Sequence, residues 1–206
     1  MKIHPVNALF YFSPLALLAA QVWILWQAFA GAAPWGLSLA ALLVVTYFVP
    51  VLAHRLVSAT ITRTPQWAEF DLSRPNAWFC SIRLQIYFIT FPQWEEVLRW
   101  IPGAYSGWLR LWGSRIGRNV HWSPQSEVLD RGLLEIDDDV QIGHRAVLAG
   151  HYIDHRDERR FLYLRKVRVG PQTLIGAYSI IGPGAEIPPH SFIRLRSVLV
   201  TKGQPE

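Results

Sequence analysis

A single cysteine in 206 residues excludes an internal disulfide and fits a reducing compartment. That residue, Cys80, follows Trp78 and Phe79, neighbours that suit a packed thiol better than a nucleophile. Charge is missing too: between Lys2 and Arg55 there is no Asp, Glu, Lys or Arg, which an ordinary solvated surface does not tolerate. No glycine-rich phosphate loop and no dinucleotide fingerprint occurs, so nucleotide hydrolysis and hydride transfer are poor candidates.

The uncharged stretch splits at Gly31-Ala32-Ala33-Pro34 into two apolar runs, Leu9 to Ala30 and Trp35 to Ala53. Each is near the ~20 residues that a helix needs to cross hydrocarbon. The spacing predicts a transmembrane helical hairpin over 1–56. A signal peptide is the competing reading, but the first run lacks a small-residue cleavage site and a second run follows at once. Lys2 before the hairpin and Arg55 and Arg63 after it place both ends on the cytoplasmic side of the inner membrane.

Residues 57–114 are rich in aromatics, with Trp67, Trp78, Trp94, Trp100, Trp108 and Trp112. After Pro92, a short amphipathic helix is expected with Trp94, Val97, Leu98 and Ile101 on one face, and a second over Tyr105 to Gly113. Such helices suit a collar in the headgroup layer, or a cap over the end of the domain that follows. The net charge of +5 and pI near 9.7 admit nucleic acid. Beside an apolar anchor they are better matched to anionic lipid and a phosphorylated co-substrate, so a bilayer and not a nucleic acid is the expected partner.

What is present in residues 115–206 is a six-residue beat. Aliphatics recur at Ile136, Ile142 and Leu148, then at Val169, Ile175, Ile181, Ile187 and Ile193. Small residues keep time: Gly143, Ala149, Gly170, Gly176 and Gly182 follow the aliphatic, and Val140, Ala146, Thr173, Ser179, Ala185 and Ser191 stand four positions after it. A period this short predicts a parallel β-helix, mainly β, with one inward aliphatic per face. Ile116, Trp122 and Val128 continue the spacing before a break of two residues ahead of Ile136, which reads as a degenerate first coil. Twenty-one residues separate Leu148 from Val169, three more than one coil, so a coil carrying a bulged polar loop is expected there.

The hexads resemble the hexapeptide-repeat acyltransferases. The run Leu148-Ala149-Gly150-His151, the charged loop after it and Val167-Arg168-Val169-Gly170 look like the membrane-associated members, including the terminal domains of polylysine-forming peptide synthetases. That resemblance implies a left-handed triangular coil of about eighteen residues per turn, a homotrimer, and an acyl-CoA or acyl-carrier-protein donor. It implies His151 as catalytic base, and a pantetheine groove near Arg168, Gly170, Gly176, Arg194, Arg196 and Lys202. An imidazole, with its ordinary pKa near ~6.5, can take a proton at neutral pH as a hydroxyl or amine attacks a thioester.

His144 and His155 compete with His151, and Asp154, Glu135 and Asp130 are all open as the carboxylate that orients it. The related γ-class carbonic anhydrases bind metal through three histidines, but the spacing of His151 and His155 does not match and no metal is expected. The reading is a membrane acyltransferase acting on an amphipathic or lipid-linked acceptor. The alternative is a non-catalytic trimeric scaffold for membrane enzymes.

Overall fold

The computed structural model describes residues 3–156 and 158–201, which form two compact units. The first unit runs through Arg63 and takes in Asp71–Tyr87; the second comprises Thr64–Phe70 and everything from Phe88 onward. The middle stretch 57–114 is therefore divided between them.

In the first unit, α1 (Pro5–Tyr11) and α2 (Ser13–Phe29) are followed by α3 (Trp35–Tyr47) and α4 (Val49–Thr60). Trp35–Thr60 makes one helix of 26 residues, long and apolar enough to cross a membrane. The expected first span is not straight: α1 and α2 meet at 44°. Pro14 supplies the cause, since it cannot donate to the helix ladder and disfavours helical backbone at Ser13. Only if that bent pair is one span does the hairpin have two. The reversal between α2 and α3 falls at Gly31, where φ is +71° and Ala32 N–H bonds Gln27 O at 2.9 Å.

Burial in these helices is inverted. Gln21, Ser38, Thr46 and Asn7 are buried, while Val22, Trp23, Trp26, Phe29, Leu37 and Leu52 are more than half exposed. Gln21 Nε2 donates to Thr46 Oγ1 at 2.7 Å, and Gln21 Oε1 accepts from the Tyr87 hydroxyl at 2.5 Å. Tyr87 belongs to α5 (Ala77–Thr90), a helix that the sequence reading did not anticipate. Cys80 in α5 is fully buried, and burial pushes its thiol up to about 11, as suits a packed residue.

The second unit opens with β1 (Trp67–Glu69), then α6 (Gln93–Arg99) and α7 (Ala104–Trp112). The coil follows: β2 (Arg115–Ile116), β3 (His121–Trp122), β4 (Glu127–Val128), β5 (Leu134–Ile136), β6 (Gln141–Ile142) and β7 (Val147–Leu148). An excursion, β8 (His151–Arg156) and β9 (Arg159–Leu164), interrupts it. The coil then resumes with β10 (Val167–Val169), β11 (Leu174–Ile175), β12 (Ile180–Ile181), β13 (Glu186–Ile187), β14 (Phe192–Ile193) and β15 (Val198–Leu199).

Every third strand joins the same sheet, giving three parallel four-stranded sheets: β2-β5-β10-β13, β3-β6-β11-β14 and β4-β7-β12-β15. Successive coils thus stack as a three-faced parallel β-helix. The inward positions are the expected ones, with Ile136, Ile142, Leu148, Ile175 and Ile181 fully buried. Each such burial contributes roughly 1.5–3 kcal/mol. The first coil is regular, not degenerate: Ile116, Trp122 and Val128 lie opposite Ile136, Ile142 and Leu148.

Cross-coil partners stand eighteen residues apart at Arg168 and Glu186, twenty at Arg115 and Glu135, and thirty-three at Glu135 and Arg168. The excess is two residues between Val128 and Ile136 and fifteen between Leu148 and Val169. The stretch after Leu148 is therefore not a full coil with a bulge. It is one ordinary step from sheet to sheet, with an antiparallel β8–β9 hairpin expelled from the corner and β1 added to its free side.

The corners share a backbone device. The third residue after the inward position is left-handed at Asn119, Gln125, Asp139, Arg145, Gln172, Tyr178, Gly184, His190 and Arg196, with φ between +53° and +74°. The N–H groups of Asp139, Tyr178, His190 and Arg196 donate to corner carbonyls of the preceding coil, at 2.9 to 3.0 Å. Those bonds offset the strain of about 1 kcal/mol that a non-glycine residue carries there.

The glycine after the inward aliphatic has no such freedom to supply; it makes room. A Cβ on Gly176 would lie 2.5 Å from Leu195 N, whereas one on Gly107, within α7, would meet nothing within 4 Å. Gly176→Ala should destabilise the coil by about 1–3 kcal/mol, and Gly107→Ala should stabilise it by about 0.5–1 kcal/mol. Denaturant unfolding of the two variants checks the pair, and equal effects would contradict the stacking argument.

Candidate functional site

Both excesses leave the coil at the same corner, between the sheet of β4 and β7 and the sheet of β5 and β10, in consecutive coils. The first is the tight turn Asp130 to Leu133, closed by Leu133 N–H to Asp130 O at 3.0 Å. The second begins at Gly150. Leu129 N–H bonds Leu148 O at 3.0 Å, which fixes one insertion over the other. A residue from each can then meet although twenty-one positions separate them.

The residues that meet are Asp130 and His151. Asp130 is 2% exposed, and its Oδ2 lies 2.6 Å from His151 Nδ1 and 2.8 Å from the donating Gly150 N–H. A carboxylate oxygen already accepting from an amide is an acceptor for the ring as well, so Nδ1 is the nitrogen that donates to it, and in the neutral imidazole Nε2 is the basic one. His151 opens β8 with its side chain 19% exposed, open enough to reach a reactant. Gly150 is required between them, because a Cβ there would sit 2.6 Å from Leu133 Cβ.

Of the three carboxylates open in the sequence, the structure brings Asp130 to His151 and leaves the other two elsewhere. Asp154 lies three positions along β8, where strand alternation turns it to the opposite face, and it accepts from Arg156 Nε at 2.8 Å. Glu135 faces outward from β5 between Lys166 Nζ at 2.7 Å and Arg168 Nε at 2.8 Å, whose hydrogen bonds hold its carboxyl down at about 2. His144 bonds Pro124 O through Nδ1 at 2.8 Å, and His155 is exposed on the hairpin.

The residues expected to hold a pantetheine donor are scattered. Arg168 is engaged by Glu135 and by Glu186 at 2.6 Å. Gly170 and Gly176 are pressed against the next coil, with a built Cβ 2.6 Å from Pro189 N and 2.5 Å from Leu195 N. Close packing of the coil explains both glycines without a ligand. Arg194 and Arg196 are exposed on the last coil, and Lys202 lies outside the described residues.

Behind Asp130 stands a second network that the sequence reading missed. Arg131 is fully buried, and its Nε donates to Glu95 Oε1 at 2.6 Å. Glu95 also lies 3.6 Å from Arg99 Nη2, and the Tyr105 hydroxyl donates to it at 3.4 Å. Burial, then the Glu95 charge, drives the Tyr105 hydroxyl well above its ordinary range. In α6 it is Glu95 that points in, while of the expected apolar face Val97 and Ile101 are exposed and Trp94 and Leu98 are half-buried. Helix α7 does cap the coil, with Trp108 and Trp112 buried, and Trp122 Nε1 donates to Ser106 Oγ at 3.0 Å. The two-residue phase break was the available signal, since extra residues in a strict repeat must be accommodated by side chains of their own.

The chain matches no known family profile, and no curated protein matches its sequence. Among solved structures, serine acetyltransferase isoform 3 from Entamoeba histolytica, in complex with cysteine, aligns with it at 10% identity and a TM-score of 0.21. The alignment covers 100% of this chain and 84% of that one. So slight an overlap carries no argument, and the fold rests on the strand pairing described above.

Arg131→Met should cost about 3–5 kcal/mol, because Glu95 keeps its buried charge and loses its closest partner. The double variant Arg131→Met with Glu95→Met should recover a large part of that loss. A double-mutant cycle by urea unfolding measures the coupling, and additivity would mean that the pair does not act as one.

Proposed function

We propose that the protein is a membrane-anchored acyltransferase that moves an acyl group from a CoA or acyl-carrier-protein thioester to a hydroxyl or amine of an amphipathic acceptor. The observation that carries this is the Asp130–His151 pair, a 2.6 Å contact between a buried carboxylate and a half-buried imidazole that orients the ring at the base of the hairpin. Asp130 is the orienting carboxylate and not Asp154 or Glu135. The acceptor oxygen or nitrogen attacks the thioester carbonyl carbon while Nε2 takes its proton; the C–S bond breaks, and the proton passes to the departing sulfur. Asp130 supports the imidazolium formed in between.

Membrane anchoring is supported by the inverted burial of the helical unit, where amide and hydroxyl groups bond to one another inside and Trp, Leu, Val and Phe face outward. That pattern suits a hydrocarbon surrounding. Both ends of the anchor are assigned to the cytoplasmic side, following the placement of basic residues. The coil is taken as left-handed and the assembly as a homotrimer, in keeping with the hexad resemblance. Leu174, Ile180, Phe192, Leu195 and Val198 are exposed on the last two coils, and they supply an apolar surface for a neighbouring copy.

Labelled acyl-CoA of short and long chain, offered with a lipid extract, tests the activity. His151→Ala should lower turnover by at least about 100-fold, and Asp130→Asn should lower kcat with little change in KM. Undiminished transfer by a folded His151→Ala variant would remove the base assignment, and failure of the wild type to bind or use any thioester would favour a scaffold. Separately, Phe192→Asp with Val198→Asp should convert a trimer to monomers in light scattering of the detergent complex. A monomeric wild type would end the trimer proposal.

A further inference from the structure

At the opposite end of the coil from its last turn, the first coil meets α6 and α7. A cavity of about 520 Å³ opens there, within the ordinary range of roughly 300–1,000 Å³ for small-molecule sites. Its lining includes Arg99, Arg110, Arg118 and His121, and among the described residues no Asp or Glu. The carboxylates that pair with Arg99 and Arg118, namely Glu95, Glu96 and Asp138, stand outside the lining.

The cations are held in different ways. Arg110 donates through Nε to Ile116 O at 2.8 Å and through Nη2 to Gly117 O at 2.7 Å, main-chain bonds that orient its guanidinium. Arg99 is only 5% exposed and fixed by its helix. Arg118 meets Asp138 at 3.1 Å with both side chains well exposed, a surface pair that a stronger anion can displace. His121 projects outward from β3. The apolar side of the cavity continues to the surface: Ile101 lines it and is 57% exposed, and the adjacent Trp100 is 78% exposed.

We infer that this cavity binds the phosphate-bearing headgroup of an anionic amphiphile, with Arg110, Arg118 and His121 around the phosphate and Trp100 and Ile101 against the chains. Guanidinium groups match phosphate oxygens in number and geometry, and an indole beside a cationic pocket suits the boundary between headgroup and hydrocarbon. A soluble phosphate would use the same cations and leave the apolar rim unexplained. The inference does not depend on chemistry at His151.

Calorimetry of the full chain in neutral detergent, titrated with dihexanoyl phosphatidylglycerol, dihexanoyl phosphatidylcholine or glycerol phosphate, tests it. The anionic lipid should bind saturably, and at least about tenfold more tightly than either of the others. Arg118→Gln with His121→Gln should weaken it by at least about tenfold at an unchanged unfolding midpoint, Trp100→Ser should weaken the lipid and not glycerol phosphate, and His151→Ala should bind as the wild type does. Equal binding of the choline lipid, or unchanged affinity in the Arg118/His121 variant, would overturn the site. Glycerol phosphate binding as tightly as the lipid would overturn the amphiphile and identify a soluble phosphate as the ligand.

Discussion

The stacking of main chain on main chain, coil upon coil, governs the second unit. Amide to carbonyl bonds such as Gly143 N–H to Ile175 O and Gly176 N–H to Ile193 O, both 2.8 Å, fix each residue to the one above it. Between them the glycines leave no space for a side chain. A chain bound so closely cannot absorb an extra residue inside a strand, so any insertion has to leave at a corner. Two insertions leave at one corner, and Asp130 and His151 are brought together by that restriction and not by proximity in sequence.

The same restriction explains why the neighbouring charge is buried. Two additional residues at the first corner carry Arg131 inward, beneath α7 and beside the rings of Phe88 and Trp108, at 5.4 and 5.8 Å. A guanidinium there needs an anion, and α6 turns Glu95 inward to meet it. Ser114 Oγ donates to Arg131 O at 2.7 Å and accepts from Leu134 N–H at 3.0 Å, so the turn is pinned at its main chain as well. Asp130 is thus anchored from behind by its successor in the chain and from the front by Gly150 and His151.

The repeat was legible because one aliphatic per six residues has no other economical explanation, and the inward set from Ile136 to Ile187 is buried where the beat places it. The first coil was misjudged because its excess residues were read as decay of the pattern, although they carry the aspartate of the site. The left-handed corners were not foreseen, since eight of nine are residues other than glycine and their strain is offset by cross-coil bonds that no local pattern reveals. The burial of Glu95 in α6 was not legible, because amphipathicity ranks a glutamate as exposed until its buried partner is known. The bend at Phe12 was within reach: Ser13-Pro14 is a helix start signal lying inside the apolar run from Leu9 to Ala30.

The three-stranded sheet has a consequence for the order of assembly. Trp67 pairs with Tyr163, ninety-six positions further along the chain. During synthesis β1 therefore emerges long before β9 exists, and it must wait while α5, α6, α7 and the first two coils are made. Closing so long a loop costs conformational entropy that local pairings do not. The hairpin that begins with His151 is completed only when this early strand is recovered, so the segment around the imidazole is among the last to reach its final form.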